Sequence, residues 1–175
     1  MEKAKSGDKE AYGALYSQFY VPVFRYIYLR IRSKEEAEDL AQTVFIKVYQ
    51  SLDRYQDRGS EPLAYFFTVA RNTVIDFYRK KKESSLEANQ QFLEIADLRQ
   101  NPEEDFAKKE SYEMITQAIH YLPEEQREVI ILKFINDLTN SEIATVLNKN
   151  EPAIRQIQHR ALKTLRERLK NDRRI

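Results

Sequence analysis

The residues best suited to chemistry here are cations and amides rather than nucleophiles. Arg155, Gln156, His159, Arg160 and Lys163 recur within nine positions of one helical stretch, with no carboxylate between Glu151 and Glu167. At about 100° per residue, Gln156, His159 and Lys163 point one way, flanked by Arg155 and Arg160. Ile154, Ala161 and Leu165 point the other, within an apolar stripe that also takes in Ile157, Leu162 and Leu169. Arg, Gln and His read donor and acceptor patterns in a DNA major groove, and Lys and Arg neutralise phosphates. On the same count Gln158 falls near the apolar stripe and Ile157 on its flank. A second set lies upstream, where Arg71, Asn72, Asp76 and Arg79 share a helix with Tyr65, Phe66, Phe67, Phe77 and Tyr78 and run into the block Arg79-Lys80-Lys81-Lys82. Before it comes the polar loop Asp57, Arg58, Gly59, Ser60. A basic helix beside a polar loop is able to hold an unstacked base and neutralise its backbone. Most of the aromatics are expected in the core.

Catalysis is not indicated. The chain has no cysteine, only three glycines and so no phosphate-cradling glycine loop, and two histidines, His120 and His159, without a nucleophile or ligand cluster beside them. Glu38 and Asp39 are adjacent on a helix, so their side chains diverge. No catalytic residue, metal site or cofactor is expected. Net charge is +1, but the basic block at 79–82 and the basic C-terminal end flank an acidic stretch, Glu87 to Glu110, as two separate anion-binding regions would require. The absence of cysteine suits a reducing compartment. No apolar run approaches the roughly 20 residues that span a bilayer, and no leader precedes the first helix. The expected protein is soluble, cytoplasmic and not inserted in a membrane.

Helical periodicity supplies the elements that must position these groups. Asp8 is placed to cap a first helix carrying Ala11, Leu15 and Phe19. Pro22 is expected to interrupt it before a second helix through Phe24, Ile27, Tyr28 and Ile31. Ser33-Lys34-Glu35-Glu36 reads as a capping box opening a third helix with Ala37, Leu40, Ala41, Val44, Phe45, Val48 and Leu52. Pro62 starts a fourth, ending in the basic block. Periodicity fades between about Glu83 and Asn101, which indicates a linker. Asn101-Pro102 caps a helix with Phe106, Met114, Ile115, Ala118 and Ile119, ended by Leu122-Pro123. A helix with Val129, Ile130, Leu132, Lys133 and Phe134 follows. Thr139-Asn140-Ser141-Glu142, a capping box, opens a short helix, and Asn148-Lys149-Asn150 turns into the basic helix. Short helix, three-residue turn and longer basic helix make a helix-turn-helix. The start of the last helix at Asn150 is also expected to offer N–H groups to a phosphate. The expected fold is all-α: two small helical domains, 1–83 and 102–175, joined by a linker at 84–101, the second a helix-turn-helix.

Several segments together resemble the extracytoplasmic-function (ECF) sigma factors of bacterial RNA polymerase. Ser6-Gly7-Asp8-Lys9-Glu10-Ala11-Tyr12 with Leu15-Tyr16 is similar to their opening. Glu36-Ala37-Glu38-Asp39-Leu40-Ala41-Gln42 with Phe45 is similar to their polymerase-binding helix, and Ala70-Arg71-Asn72 with Asp76 and Arg79 to the helix that reads the minus-ten element. Leu122 to Val129, Glu142-Ile143-Ala144 and His159-Arg160-Ala161 with Leu165-Arg166 are similar to their second domain. The resemblance implies that Glu38, Asp39, Gln42 and Phe45 grip the clamp coiled coil of core RNA polymerase. It implies that Asp57, Arg58, Gly59 and Ser60 capture a flipped base, and that Asn72, Asp76 and Arg79 face the adjacent duplex. It places Arg155, Gln156, His159, Arg160 and Lys163 on the minus-thirty-five element, and the second domain also on the polymerase flap. Promoter DNA, double-stranded and melted, would be the nucleic-acid partner, and an anti-sigma protein the regulator. Two departures stand out. Tyr65 occupies a position where the family usually has tryptophan. Pro152-Ala153-Ile154-Arg155-Gln156-Ile157 replaces a small-Thr-Val-Lys-Ser-Arg run, without its Thr hydroxyl and its Arg. A helix-turn-helix regulator independent of polymerase leaves the helix around Asp39 and Gln42 without a purpose. A sigma mimic that titrates an anti-sigma protein leaves the retained basic residues without one.

Overall fold

The computed structural model describes residues 1–31, 33–55, 61–85 and 117–172. Every regular element among them is helical, and the chain divides into two compact units, Met1–Asp97 and Leu98–Ile175. The loop at 57–60, most of the linker expected at 84–101 and the helix expected after Asn101-Pro102, up to residue 116, lie outside the described residues.

The N-terminal unit is built from α1 (Glu2–Lys5), α2 (Lys9–Ile31), α3 (Lys34–Ser51) and α4 (Pro62–Ser85), with a single tight turn at Leu52–Arg54 after α3. Helices α2, α3 and α4 pack against one another in all three pairings. Their shared core holds Val23, Tyr26, Ile27, Ala37, Ala41, Val44, Val48, Phe66, Phe67, Ala70 and Val74. Asp8 caps α2 as its sequence suggests, Oδ1 accepting from the N–H groups of Glu10 (2.9 Å) and Ala11 (3.0 Å). The expected break at Pro22 does not occur, and α2 is one continuous helix with Pro22 inside it. Removing the N–H strands only the Gln18 carbonyl, one turn back in a row where Gln18 and Val21 are exposed, so water is available to it. Burial of Phe19, Val23, Tyr26 and Ile27 on both sides of the proline holds the two halves together. Ser33 caps α3, accepting from the Glu36 N–H at 3.3 Å, but the expected reciprocal box is only half made. The Glu36 carboxylate is paired instead with Lys81 of α4 at 3.2 Å.

The C-terminal unit contains a helical turn at 117–120, then α5 (Glu124–Ile130), α6 (Asn140–Leu147) and α7 (Glu151–Asp172). Helix α5 runs on into one widened turn, Ile131–Ile135, where the Asn136 N–H reaches back to the Ile131 carbonyl at 3.2 Å. The widened turn throws Phe134 outward to 50 % exposure, so it is not part of the apolar stripe that Val129, Ile130 and Leu132 form. Helix α7 packs on both α5 and α6. No described helix is long and apolar enough to cross a membrane.

Candidate nucleic-acid interface

The helix-turn-helix is set by its local chemistry. Thr139 opens α6 with a complete capping box: its Oγ1 accepts from the Glu142 N–H (3.3 Å), and Glu142 Oε2 accepts from the Thr139 N–H (2.7 Å). Asn148 ends α6 in the left-handed region at φ 51°, a conformation asparagine tolerates. The Lys149 N–H closes the turn on the Ala144 carbonyl at 2.9 Å, while its ammonium is tied to Glu125 of α5 at 2.6 Å. The turn is thereby clamped to a neighbouring helix, and α7 leaves it in one direction.

Ile154, Ile157 and Ala161 of α7 are buried, and Gln158 and Leu165 are half-buried. The helix is therefore turned slightly toward Ile157, which is a core residue, and Leu162, expected in the apolar stripe, is instead 36 % exposed. Arg155, Gln156, His159, Arg160 and Lys163 are all exposed on the opposite face. Arg155 is held by Glu151 one turn back, at 3.0 Å. The expected phosphate site at the start of α7 is largely closed. Asn150 Oδ1 accepts from the Ala153 N–H (2.9 Å), the Asn150 carbonyl takes the Ile154 N–H (3.2 Å), and Pro152 has no N–H to give.

In the N-terminal unit, Asn72 and Arg79 of α4 are exposed and Asp76 between them is half-exposed, at i, i+4 and i+7 spacing on one face. Asp76 pairs with Arg79 at 3.1 Å and with Lys47 of α3 at 4.0 Å. Lys47 also donates to the hydroxyl of Thr73 at 3.2 Å, and Thr73 is 3 % exposed. Lys47 is a member of this face that sequence reasoning missed. It lies on a different helix, and nothing in local spacing connects it to Asp76. The basic block is not all free, since Lys81 is engaged by Glu36 and sits over the Phe77 ring. Tyr65 holds the start of α4, its hydroxyl 2.8 Å from Ser51 Oγ and its ring edge-on to Tyr55 at 5.1 Å. Lys5 of α1 donates to the Tyr55 carbonyl at 2.8 Å, fixing the residue from which the loop at 57–60 departs.

On α3, Asp39 and Gln42 are exposed and Glu38 is half-exposed. Phe45, grouped with them by sequence, is 3 % exposed. Its ring packs on Tyr16 (4.6 Å), Phe66 (5.1 Å) and Tyr20 (6.1 Å), and Tyr12 donates its hydroxyl proton to the Phe45 carbonyl. Phe45 thus anchors α3 from within, and the apolar groups on the outer face are Ile46 and Tyr49, at 57 % and 49 % exposure. Burial pushes the Tyr12 phenol up to about 12. Burial, then neighbouring Tyr16 and the Glu38 carboxylate, raise that of Tyr20. Among the described residues no three His, Asp or Glu side chains converge on a possible metal site.

Residues 15–84 match the family model for Sigma-70 region 2, and residues 112–165 match that for Sigma-70 region 4. The chain is similar to the ECF RNA polymerase sigma factor BldN of Streptomyces coelicolor, 32 % identical over 98 % of this chain and 65 % of that one, so it spans about two thirds of BldN. It is similar to ShbA of Streptomyces griseus, with 30 % identity over 95 % of this chain and 91 % of ShbA. It also resembles SigW of Bacillus subtilis, with 28 % identity over 98 % and 95 %. Two solved structures share the fold: sigma factor RpoE in complex with the anti-sigma factor NepR from Bartonella quintana (TM-score 0.79, 21 % identity, 92 % of this chain and 98 % of that) and CnrH in complex with the cytosolic domain of CnrY (TM-score 0.74, 22 % identity, 98 % and 95 %). With regions 2 and 4 in order on two helical units, and ShbA at 30 % identity matched along 91 % of its length, the chain belongs to the ECF sigma factors of RNA polymerase.

Proposed function

We propose that this chain binds core RNA polymerase and directs it to promoters, residues 1–83 acting on the minus-ten element and residues 102–175 on the minus-thirty-five element, with residues 84–101 as the tether. The observation that carries this reading is the outward face of α7. Five exposed side chains able to contact bases or phosphates, Arg155, Gln156, His159, Arg160 and Lys163, stand on a helix whose other face is buried. Asn72, Asp76 and Arg79 form a second polar face on α4, and the loop Asp57, Arg58, Gly59, Ser60 would take a flipped base. Glu38, Asp39 and Gln42, joined by Ile46 and Tyr49, supply the polymerase-facing surface of α3, directed at the clamp coiled coil, while the C-terminal unit rests on the flap.

Two sites on one tether explain how modest affinities suffice. Once one unit is docked, the other acts at an effective concentration set by the linker. Opening the duplex requires a surface that binds a base better unstacked than stacked, because only differential affinity shifts that equilibrium. The cost to offset is on the order of a few kcal/mol per base. The activity is one of binding, with no catalytic residue or cofactor assigned to the chain. The fold relative RpoE, captured with the anti-sigma factor NepR, supports regulation by a protein that covers the polymerase-binding and DNA-binding faces. The test is run-off transcription by core polymerase on a genomic DNA library with and without the purified chain. New start sites that depend on the chain are expected, and their absence refutes the proposal.

A further inference from the structure

We propose that Lys47 is a positioning residue for the DNA-reading face of α4: anchored on the buried hydroxyl of Thr73, it holds the Asp76 carboxylate in place and offsets its charge, and so sets which base Asp76 accepts. The inference rests on the reading of α4 as the minus-ten face.

A carboxylate on a surface meant for DNA needs an explanation, since phosphates repel it. A carboxylate is nevertheless useful there if it accepts a hydrogen bond from an exocyclic base amine, as from cytosine N4. The surroundings of Asp76 suit that use. Arg79 on one side (3.1 Å) and Lys47 on the other (4.0 Å) bracket it, so the three charges sum to one positive. Arg79 is attached to the same helix and is 65 % exposed in its side chain, free to swing to a phosphate. Lys47 is different: it comes from α3, and its ammonium bonds at 3.2 Å to a hydroxyl whose residue is 3 % exposed. One of its donors is thus spent on a fixed point inside the bundle, and the cation has a defined position from which to orient Asp76. The same helix carries Asp39 and Gln42, so the residue that orients the minus-ten face and the surface assigned to polymerase share one rigid element.

The experiment uses the full chain with core polymerase on promoters randomised across the minus-ten element, start-site abundance being counted by sequencing. The variants are Lys47→Gln, Lys47→Arg, Thr73→Val, Asp76→Asn and the double variant Lys47→Gln/Asp76→Asn, each checked for native helicity. Lys47→Gln is expected to flatten the preference at one or two adjacent positions by about tenfold while leaving the other positions unchanged. Thr73→Val, which removes only the anchor, should flatten the same positions, and Lys47→Arg should retain most of the preference. Because Lys47 acts through Asp76, the double variant should have the same preference as Asp76→Asn alone. If Lys47→Gln weakens all promoters equally, or adds its full effect on top of Asp76→Asn, Lys47 is an ordinary phosphate contact and the inference is overturned. A wild-type chain that directs no initiation overturns the proposed function itself, a distinguishable failure.

Discussion

Replacing Ile157 with Arg would restore the residue type that resemblance to the family leads one to expect in the recognition helix, and the structure gives a definite cost for doing so. Ile157 is 6 % exposed and shares the inner face of α7 with Ile154 and Ala161. Removing a buried isoleucine forfeits about 1.5–3 kcal/mol of transfer free energy. An arginine in its place must either bury its guanidinium or thread its stem outward past Gln158 and Arg160. Snorkelling spares most of the charge penalty but not the lost packing, so the expected destabilisation of the C-terminal unit is about 2–3 kcal/mol. For a domain of this size that lowers its melting temperature by on the order of 10 °C. The assay is urea and thermal unfolding of the full chain, with hydrogen exchange on α6 and α7 to assign the loss to the C-terminal unit. Gln156→Arg, at an exposed position one residue away, is the control and should stay within about 0.5 kcal/mol of wild type. If Ile157→Arg is as stable as Gln156→Arg, then α7 is not seated on the stripe through Ile157, and the assignment of its outward face is wrong with it.

Other outcomes follow from the same geometry. Pro22→Ala should stabilise the N-terminal unit by about 2 kcal/mol, because it restores the bond to the Gln18 carbonyl inside a continuous helix; a lower urea midpoint would contradict the helix running straight through. Thr139→Ala removes the cap of α6 and should cost about 1 kcal/mol, read as faster amide exchange in the first turn of α6. The phenol of Tyr12, raised to about 12 from its ordinary 10, keeps its proton more tightly in the fold than in the unfolded chain. Its stabilising contribution is therefore full below pH 10 and is lost as the pH climbs from 10 toward 12. Tyr12→Phe should blunt this alkaline loss in a pH series of melting temperatures, and an unchanged alkaline slope would refute it.

The local elements were legible in the sequence because their causes are local. Asp8, Ser33 and Thr139 cap helices through bonds spanning two or three residues, and a helix-turn-helix follows from two caps, a turn and two apolar stripes. The Asn148 turn is of the same kind. Pro22 shows where that logic stops: a proline ends a helix by local sterics, yet here burial on both sides outweighs it, and burial depends on α3 and α4 being present.

The amino-acid sequence by itself determined the helical character of this chain, its division into two units, the basic face of α7 and the family pattern that runs through both. What only the tertiary structure decided are matters of which neighbour comes near. Phe45 stood in the sequence both in the apolar stripe of α3 and among the polymerase contacts, and packing against α2 and α4 put it inside, leaving Ile46 and Tyr49 as the exposed apolar groups. Leu162, read as part of the apolar stripe, stayed 36 % exposed while Ile157 was buried, through a small rotation of α7 that a count of about 100° per residue is too coarse to resolve. Lys47 came to Asp76 across 29 positions of sequence because two helices pack side by side. Periodicity ranks the faces of one helix at a time, whereas pairings between helices depend on how close-packed side chains fit together.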